Sequence, residues 1–176
     1  MAVCLEGIIR YKQFNDNDPS QIFRFVPIKS EILNKSVLMV NHNSGKALDI
    51  PMASFEPDTR IIQFTVSNRF NQRWIFVKKG NGYLIRSLLN GLVLDIANER
   101  KEGGSAVVQW QATGNSNQLW LPKPAGYNCC YKIASLHAPG MYLCIKSQSM
   151  EDFGKLEIWD CENPSMYWKI DNLNLN

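Results

Sequence analysis

Short apolar runs punctuated by glycine recur along the chain at a nearly constant interval. Three segments align without a gap, with Gly, Leu and Ile at the same places. They are GKALDI at 45–50, GLVLDI at 91–96 and GMYLCI at 140–145. Self-similarity of this kind indicates a repeat architecture in which each unit buries its apolar face against its neighbours.

Two further blocks follow each of these segments at matching distances. The first is a β-prone run that ends on an aromatic residue fifteen positions after the Asp or Cys: IIQF at 61–64, VVQW at 107–110 and LEIW at 156–159. The second ends on tryptophan: NQRW at 71–74, NQLW at 117–120 and SMYW at 165–168. The tryptophans are 46 and 48 residues apart. We expect these three tryptophans in the core.

Each unit also opens with a β-prone stretch, at 37–40, 83–87 or 131–135, and a turn that contains glycine follows it. No segment carries a helical apolar period over a helical length. The pattern therefore predicts an all-β chain of three four-stranded repeats. Three such units pack about a pseudo-threefold axis in a β-trefoil, and we predict that fold.

The repeats do not use the whole chain. We place a β-trefoil at 32–176, with repeats at about 32–79, 80–125 and 126–172, and an N-terminal extension at 1–31. The extension resembles half a repeat, because IIRY at 8–11 and QIFRFV at 21–26 echo 61–64 and 72–77. A closed trefoil has no vacancy for two more strands. We expect the extension to cover an edge, to pack outside, or to pair with a second subunit in a homodimer.

Composition and charge narrow the class of protein. The net charge is only +3 and the 19 basic residues are interspersed with acidic ones, which disfavours nucleic-acid binding. No apolar run reaches membrane-spanning length and no signal peptide is recognisable, so we expect a protein without membrane insertion that is cytoplasmic or secreted without a signal peptide. The five cysteines lack CxxC pairs, which favours reduced thiols. A Cys144–Cys161 pair stays open as an alternative.

The combination of GxxLDI, VxQW and NQxW resembles the ricin B lectin family, whose hallmark is the Gln-x-Trp repeat. The resemblance covers residues 32–172 and implies a β-trefoil that binds carbohydrate, with galactose or N-acetylgalactosamine as the expected ligand and no attached catalytic domain. It implies glycans as partners, no cofactor, and agglutination through more than one site.

Carried over residue by residue, the resemblance implies a complete site in the second repeat. Asp95 would accept bonds from two sugar hydroxyls, Trp110 would stack on the sugar, Asn117 would donate to a hydroxyl, and Gln118 would support the loop. The first repeat keeps the same set with a phenylalanine as platform, and its loop at 55–58 is expected to shape what that pocket admits. The residues of this first-repeat site are Asp49, Phe64, Asn71 and Gln72.

The third repeat departs from the pattern at every polar position. Cys144, Ser165 and Met166 replace the Asp, Asn and Gln, although Trp159 remains. We therefore expect two intact sites and one that does not bind sugar.

Other interpretations stay open at this point. The two Asp residues could be turn residues and the two aromatics could be core residues, but the repeat that loses its Asp also loses the Asn and Gln. His42 and His137 lie at equivalent turn positions, too far apart by symmetry for a shared metal site. No nucleophile motif accompanies them, so no enzyme activity is expected. The rival function is a β-trefoil that acts through protein contacts, as a protease inhibitor or a toxin targeting subunit.

Overall fold

The computed structural model describes residues 36–126, 129–160 and 162–171. The predicted extension at 1–31 and the proposed partner Cys161 lie outside these residues. In the described part of the chain, the secondary structure consists of twelve β-strands and six short 3-10 turns, with no α-helix. The all-β prediction is confirmed.

Each repeat contributes four strands. The first repeat contains β1 (Val37–Asn41), β2 (Ala47–Asp49), β3 (Ile62–Phe64) and β4 (Arg73–Lys79). The second contains β5 (Gly82–Ser87), β6 (Val93–Ile96), β7 (Val107–Trp110) and β8 (Trp120–Pro124). The third contains β9 (Tyr131–Ser135), β10 (Tyr142–Ile145), β11 (Leu156–Trp159) and β12 (Trp168–Ile170). The 3-10 turns follow the second strands and precede the fourth strands, at Pro51–Ala53, Phe70–Gln72, Ala97–Glu99, Ser116–Gln118, Lys146–Gln148 and Pro164–Met166.

The first and fourth strands of the three repeats form a closed six-stranded antiparallel barrel. Its order is β1, β4, β5, β8, β9 and β12, and β12 pairs back onto β1 with Met39 opposite Ile170. The second and third strands of each repeat form a hairpin, β2–β3, β6–β7 or β10–β11. A six-stranded barrel with three hairpins is the β-trefoil that the repeats predict, and closure leaves the barrel without an open edge.

The core follows the threefold pattern of the sequence. Trp74, Trp120 and Trp168 are fully buried, as predicted. Each indole Nε1 donates to the carbonyl of a leucine in its own repeat, at 3.1 Å for the first and 3.2 Å for the other two. These bonds satisfy the only polar atom of each buried ring. They also connect the fourth strand of each repeat, in the barrel, to the hairpin of the same repeat.

The loop between the second and third strands of each repeat contacts the next repeat in the cycle. Three residues at equivalent positions with positive φ, Asp58, Gly104 and Phe153, donate their backbone N–H to the third strand of that neighbour. The acceptors are the carbonyls of Gln109, Ile158 and Gln63, at 2.9, 2.8 and 3.0 Å. Each hairpin is therefore bordered by a loop from another part of the sequence.

Candidate functional site

The hairpin of the second repeat places an acid and an aromatic ring side by side. Asp95 of β6 lies opposite Val108 of β7, and Trp110 is two residues further along β7. Residues two apart on a strand point to the same face, so Val108 and Trp110 face away from the buried Val107 and Gln109. The Trp110 side chain is 40% exposed whereas Asp95 is 6% exposed. The solvent-exposed ring of Trp110 thus lies beside the recessed carboxylate of Asp95.

The 3-10 turn before β8 holds that carboxylate in place. Asn117 Nδ2 donates to Asp95 Oδ1 at 3.0 Å, and Gln118 Nε2 donates to Asp95 Oδ2 at 2.7 Å. The other end of the Gln118 amide, Oε1, accepts from the backbone N–H groups of Thr113 and Gly114 at 2.9 and 3.0 Å. The fully buried Gln118 side chain therefore links the loop at 113–114 to Asp95 through hydrogen bonds at both ends of its amide.

These side chains border a depression of about 270 Å³. Its lining residues include Asp58, Asp95, Glu99, Val108, Trp110 and Asn117. Asn117 Oδ1 is buried and accepts no hydrogen bond in the described structure. A buried acceptor without a donor costs about 1–3 kcal/mol, and a ligand that supplies the donor recovers that free energy.

Burial raises the pKa of Asp95 above its usual value. The amides of Gln118 and Asn117 counteract that increase by bonding to the ionised form, and the negative charges of Glu99 and Asp58 add to it. The carboxylate is thus a hydrogen-bond acceptor held in a recess where two other acids are close by.

The loop at 55–58 belongs to the first repeat but reaches the second, where Asp58 lines the depression beside Asp95. Gln109 Nε2 holds the loop there by donating to the carbonyls of Ser54 and Glu56 at 3.1 and 2.7 Å. The contact arises from the cyclic packing of the repeats.

The first repeat brings its four predicted residues together as well. Asp49 is 3% exposed, and its Oδ2 accepts from Asn71 Nδ2 at 3.0 Å and from Gln72 Nε2 at 2.7 Å. No described residue donates to its Oδ1. Burial raises the pKa of Asp49 to about 6, against the effect of the two amide bonds and with a smaller contribution from the charge of Asp152.

The aromatic platform of the first repeat is partly covered by the third repeat. The Phe64 ring meets the Phe153 ring edge to face, with centroids 5.1 Å apart. Asp152, next to Phe153, accepts from the Thr65 backbone N–H at 2.8 Å and forms a salt bridge with Lys46 at 2.8 Å. The Phe64 ring therefore meets an apolar ring from the loop position that Asp58 occupies beside the second repeat.

The third repeat has the same hairpin and 3-10 turn as the other two, but Ser165 and Met166 replace the side-chain amides. Ser165 Oγ donates to the carbonyl of Ile145 at 3.2 Å, the counterpart of the Ile96 carbonyl that Asn117 contacts, and Met166 is buried. Trp159 is 37% exposed, and a side chain on Gly103 would come within 3.1 Å of its ring. The third repeat thus keeps an exposed aromatic ring, and the loop at Gly103 and Gly104 packs against it.

Glu157 is a buried acid of the third repeat that the aligned motifs do not predict. Glu157 lies directly opposite Cys144 in the β10–β11 pair and is 6% exposed. Burial raises its pKa, and the positive charges of Lys146 and Arg60 counteract the increase. Aligning Ile62, Val108 and Glu157 by their distance from the Asp or Cys would have revealed the substitution of an apolar residue by an acid.

Neither histidine belongs to a group of potential metal ligands in the part of the chain that the structure describes. His137 Nδ1 is 2.7 Å from Ser116 Oγ and its Nε2 is 2.7 Å from the Glu99 carbonyl. Among residues 36–126, 129–160 and 162–171, no three His, Cys, Asp or Glu side chains are grouped so that they could hold a metal ion. In the same residues, no helix has the length and apolarity needed to cross a membrane.

Comparison with known families extends the sequence resemblance. The family described as "Ricin-type beta-trefoil lectin domain-like" matches residues 70–159, about half of the chain. Beta-galactoside-specific lectins 3 and 4 of Viscum album are each 43% identical over 53 residues. That stretch is 30% of this chain and 9% of either relative, so the chain matches only a small part of their length.

Solved structures show the same fold over the trefoil. A designed three-fold symmetric protein, ThreeFoil, has a TM-score of 0.74 and 28% identity, covering 77% of this chain and 97% of its own. The exo-beta-1,3-galactanase 1,3Gal43A from Clostridium thermocellum has a TM-score of 0.73 and 31% identity, covering 77% of this chain and 30% of its own. The C-half of an earthworm R-type lectin, solved with GalNAc, covers 77% and 97% at a TM-score of 0.61; with 21% identity it supports the fold alone.

Proposed function

Since this chain belongs to the ricin-type beta-trefoil lectin domain-like family, we propose that it is a lectin that binds glycans ending in galactose or N-acetylgalactosamine. Binding uses the second and first repeats and involves no covalent chemistry. The third repeat serves the fold.

The depression in the second repeat carries this proposal. It combines a half-exposed indole, a recessed carboxylate with one protein donor on each oxygen, and the buried Asn117 Oδ1 that lacks a donor. A pyranose matches all three features, because its C–H face packs on an aromatic ring while vicinal hydroxyls donate to oxygen acceptors. Bonds to the ionised Asp95 contribute about 1.5–3 kcal/mol each.

We infer a role for the asparagine that differs from the one implied by the resemblance. Asn117 Nδ2 already donates to two protein acceptors, Asp95 Oδ1 at 3.0 Å and the Ile96 carbonyl at 3.4 Å. We therefore assign Asn117 Oδ1 as an acceptor for a sugar hydroxyl, and Asp95 as the acceptor for its neighbour. Gln118 positions both through the loop.

The choice of galactose rests on the relatives. The Viscum album proteins are named for β-galactosides and the Clostridium thermocellum enzyme for galactan. The first repeat repeats the same set with Asp49, Phe64 and Asn71. We expect single-site affinities around 1 mM, about 4 kcal/mol, strengthened when two sites engage one glycan surface.

A glycan array on the wild-type protein and on Asp95→Ala, Asp49→Ala and double variants tests the proposal. We expect the wild type to bind galactose-terminated glycans, each single variant to lose the gain from bivalency, and the double variant to lose binding. Trp110→Ala and Phe64→Ala serve as second variants for the two sites, because their partly exposed rings are less important for the fold than a buried acid. A wild type that binds no glycan, or a folded double variant that binds as well as the wild type, would favour action through protein contacts instead.

A further inference from the structure

The pocket of the second repeat is acidic without a compensating cation. Three of its ten lining residues are the acids Asp58, Asp95 and Glu99, and none is Lys, Arg or His. The salt bridges between described residues are Lys46–Asp152, Arg73–Asp171 and Lys132–Glu162, so none of the three acids has a cationic partner of this kind. Their mutual influence is visible in Asp95, whose pKa is raised further by the other two charges.

Asp58 comes from the first repeat and is fixed in the wall. Its backbone N–H donates to the Gln109 carbonyl at 2.9 Å, and Gln109 N–H donates to the Thr59 carbonyl at 3.0 Å. The Gln109 side chain bonds the same loop from below. The charge therefore stays at the rim of the neighbouring pocket.

The equivalent positions in the other repeats carry no charge. Gly104 borders the Trp159 ring and Phe153 contacts Phe64. The first pocket does have a nearby acid, Asp152, but Lys46 and Thr65 bond to it. The two predicted sites are thus similar in their hydrogen-bonding groups and different in their electrostatic field.

The buried Asn117 Oδ1 indicates independently that this recess receives a donor. The Asn117 amide nitrogen donates to Asp95 Oδ1 at 3.0 Å and to the Ile96 carbonyl at 3.4 Å, so this part of the pocket offers acceptors to a ligand. An ammonium group brings three donors and a positive charge, whereas a carboxylate or sulfate brings only acceptors and a negative charge.

Building on the proposed function, we infer that the second-repeat pocket prefers amino sugars with a free ammonium group over neutral sugars and rejects carboxylated ones, and that Asp58 of the first repeat is a residue that determines this specificity. One additional ion pair at an exposed rim corresponds to a several-fold change in affinity, because the surrounding water weakens the attraction between the two charges. Because Asp58 and Glu99 are exposed, added salt weakens the preference.

The test is isothermal titration at pH 7 with four probes: galactose, N-acetylgalactosamine, galactosamine and galacturonic acid. Asp49→Ala, or Phe64→Ala if the first does not fold, leaves the second pocket as the binding site. In that background we expect galactosamine to bind about three- to five-fold tighter than galactose, and galacturonic acid to bind correspondingly weaker. The preference should decrease between about 20 and about 500 mM NaCl.

Two further variants distinguish the effect of the Asp58 charge in the pocket wall from the effect of the net charge of the protein. Adding Asp58→Asn should bring the galactosamine-to-galactose ratio close to one, whereas Glu102→Gln, the same charge change at an exposed acid that does not line the pocket, should leave the ratio unchanged. Asp95→Ala, or Trp110→Ala if that fails to fold, leaves the first pocket, where we expect no preference.

The outcomes distinguish this inference from the proposed function. If the protein binds galactose but galactosamine no tighter in the Asp49→Ala background, or if Asp58→Asn leaves the ratio unchanged, the inference is overturned and the lectin assignment stands. If none of the four sugars nor any glycan on the array binds, the proposed function itself fails.

Discussion

Gln118 and Asp95 form a buried pair in which the glutamine Nε2 donates to the aspartate Oδ2 at 2.7 Å. The same glutamine accepts two backbone N–H groups through Oε1. One side chain thus joins the acid of β6 to the loop before β8.

Replacing Gln118 by alanine should lower both stability and second-site affinity. The change leaves the loop N–H groups and one oxygen of Asp95 without their partners and creates a cavity at a fully buried position. We expect a loss of about 2–4 kcal/mol in the free energy of unfolding, measured by urea denaturation. Gln111→Ala is the matched control, since its side chain is exposed and only its backbone carbonyl bonds to Gln118. Equal stability of the two variants would refute the pairing as a structural element.

Replacing Asp49 by asparagine should stabilise the protein at neutral pH. Both protein donors meet Asp49 Oδ2 while no described donor meets Oδ1, so an asparagine can keep both bonds through its oxygen. The variant avoids burying a charge whose pKa is raised to about 6. We expect a gain of up to about 3 kcal/mol at pH 7 in chemical denaturation.

Asp95→Asn is the natural comparison for that variant. Each Asp95 oxygen accepts one donor, so an asparagine sets an N–H group against an amide unless Asn117 rotates. We expect it to be less stable than Asp49→Asn by about 1 kcal/mol or more. The reverse order would contradict the hydrogen-bond assignment.

The pH dependence of stability should reveal Asp49 directly. Its folded pKa of about 6 exceeds the unfolded value of about 3.9, so the folded state binds the proton more tightly. The wild type therefore loses stability from this residue as pH rises from about 4 to about 7. The difference between Asp49→Asn and the wild type should be small near pH 4 and reach its full value above pH 7. A difference that does not vary with pH would exclude this origin.

Tryptophan fluorescence should report sugar binding through one residue. Three of the five tryptophans are fully buried, while Trp110 and Trp159 are 40% and 37% exposed. We expect the emission change on adding galactose to be lost in Trp110→Phe and kept in Trp159→Phe, because the third repeat lacks the acid and amides. Loss of the signal in Trp159→Phe alone would assign binding to the third repeat.

Much of this molecule follows from sequence because its information is local. The strands, the hairpins and the buried tryptophans repeat with each unit, and the apolar pattern that specifies them acts within about 50 residues. Asp95, Trp110, Asn117 and Gln118 also meet within one repeat, since a hairpin and the following turn bring them together. The repeated sequence pattern is therefore sufficient to group these four residues.

Contacts between repeats leave no mark in the sequence pattern of a single repeat. Only the closed barrel decides that the loop carrying Asp58 borders the pocket of Asp95, that Phe153 covers Phe64, and that Asn117 Oδ1 is left without a donor. Similar units carry similar local patterns, but the pseudo-threefold packing sets which loop meets which hairpin. The walls of each pocket, and with them its charge, therefore depend on tertiary neighbours that are distant in sequence.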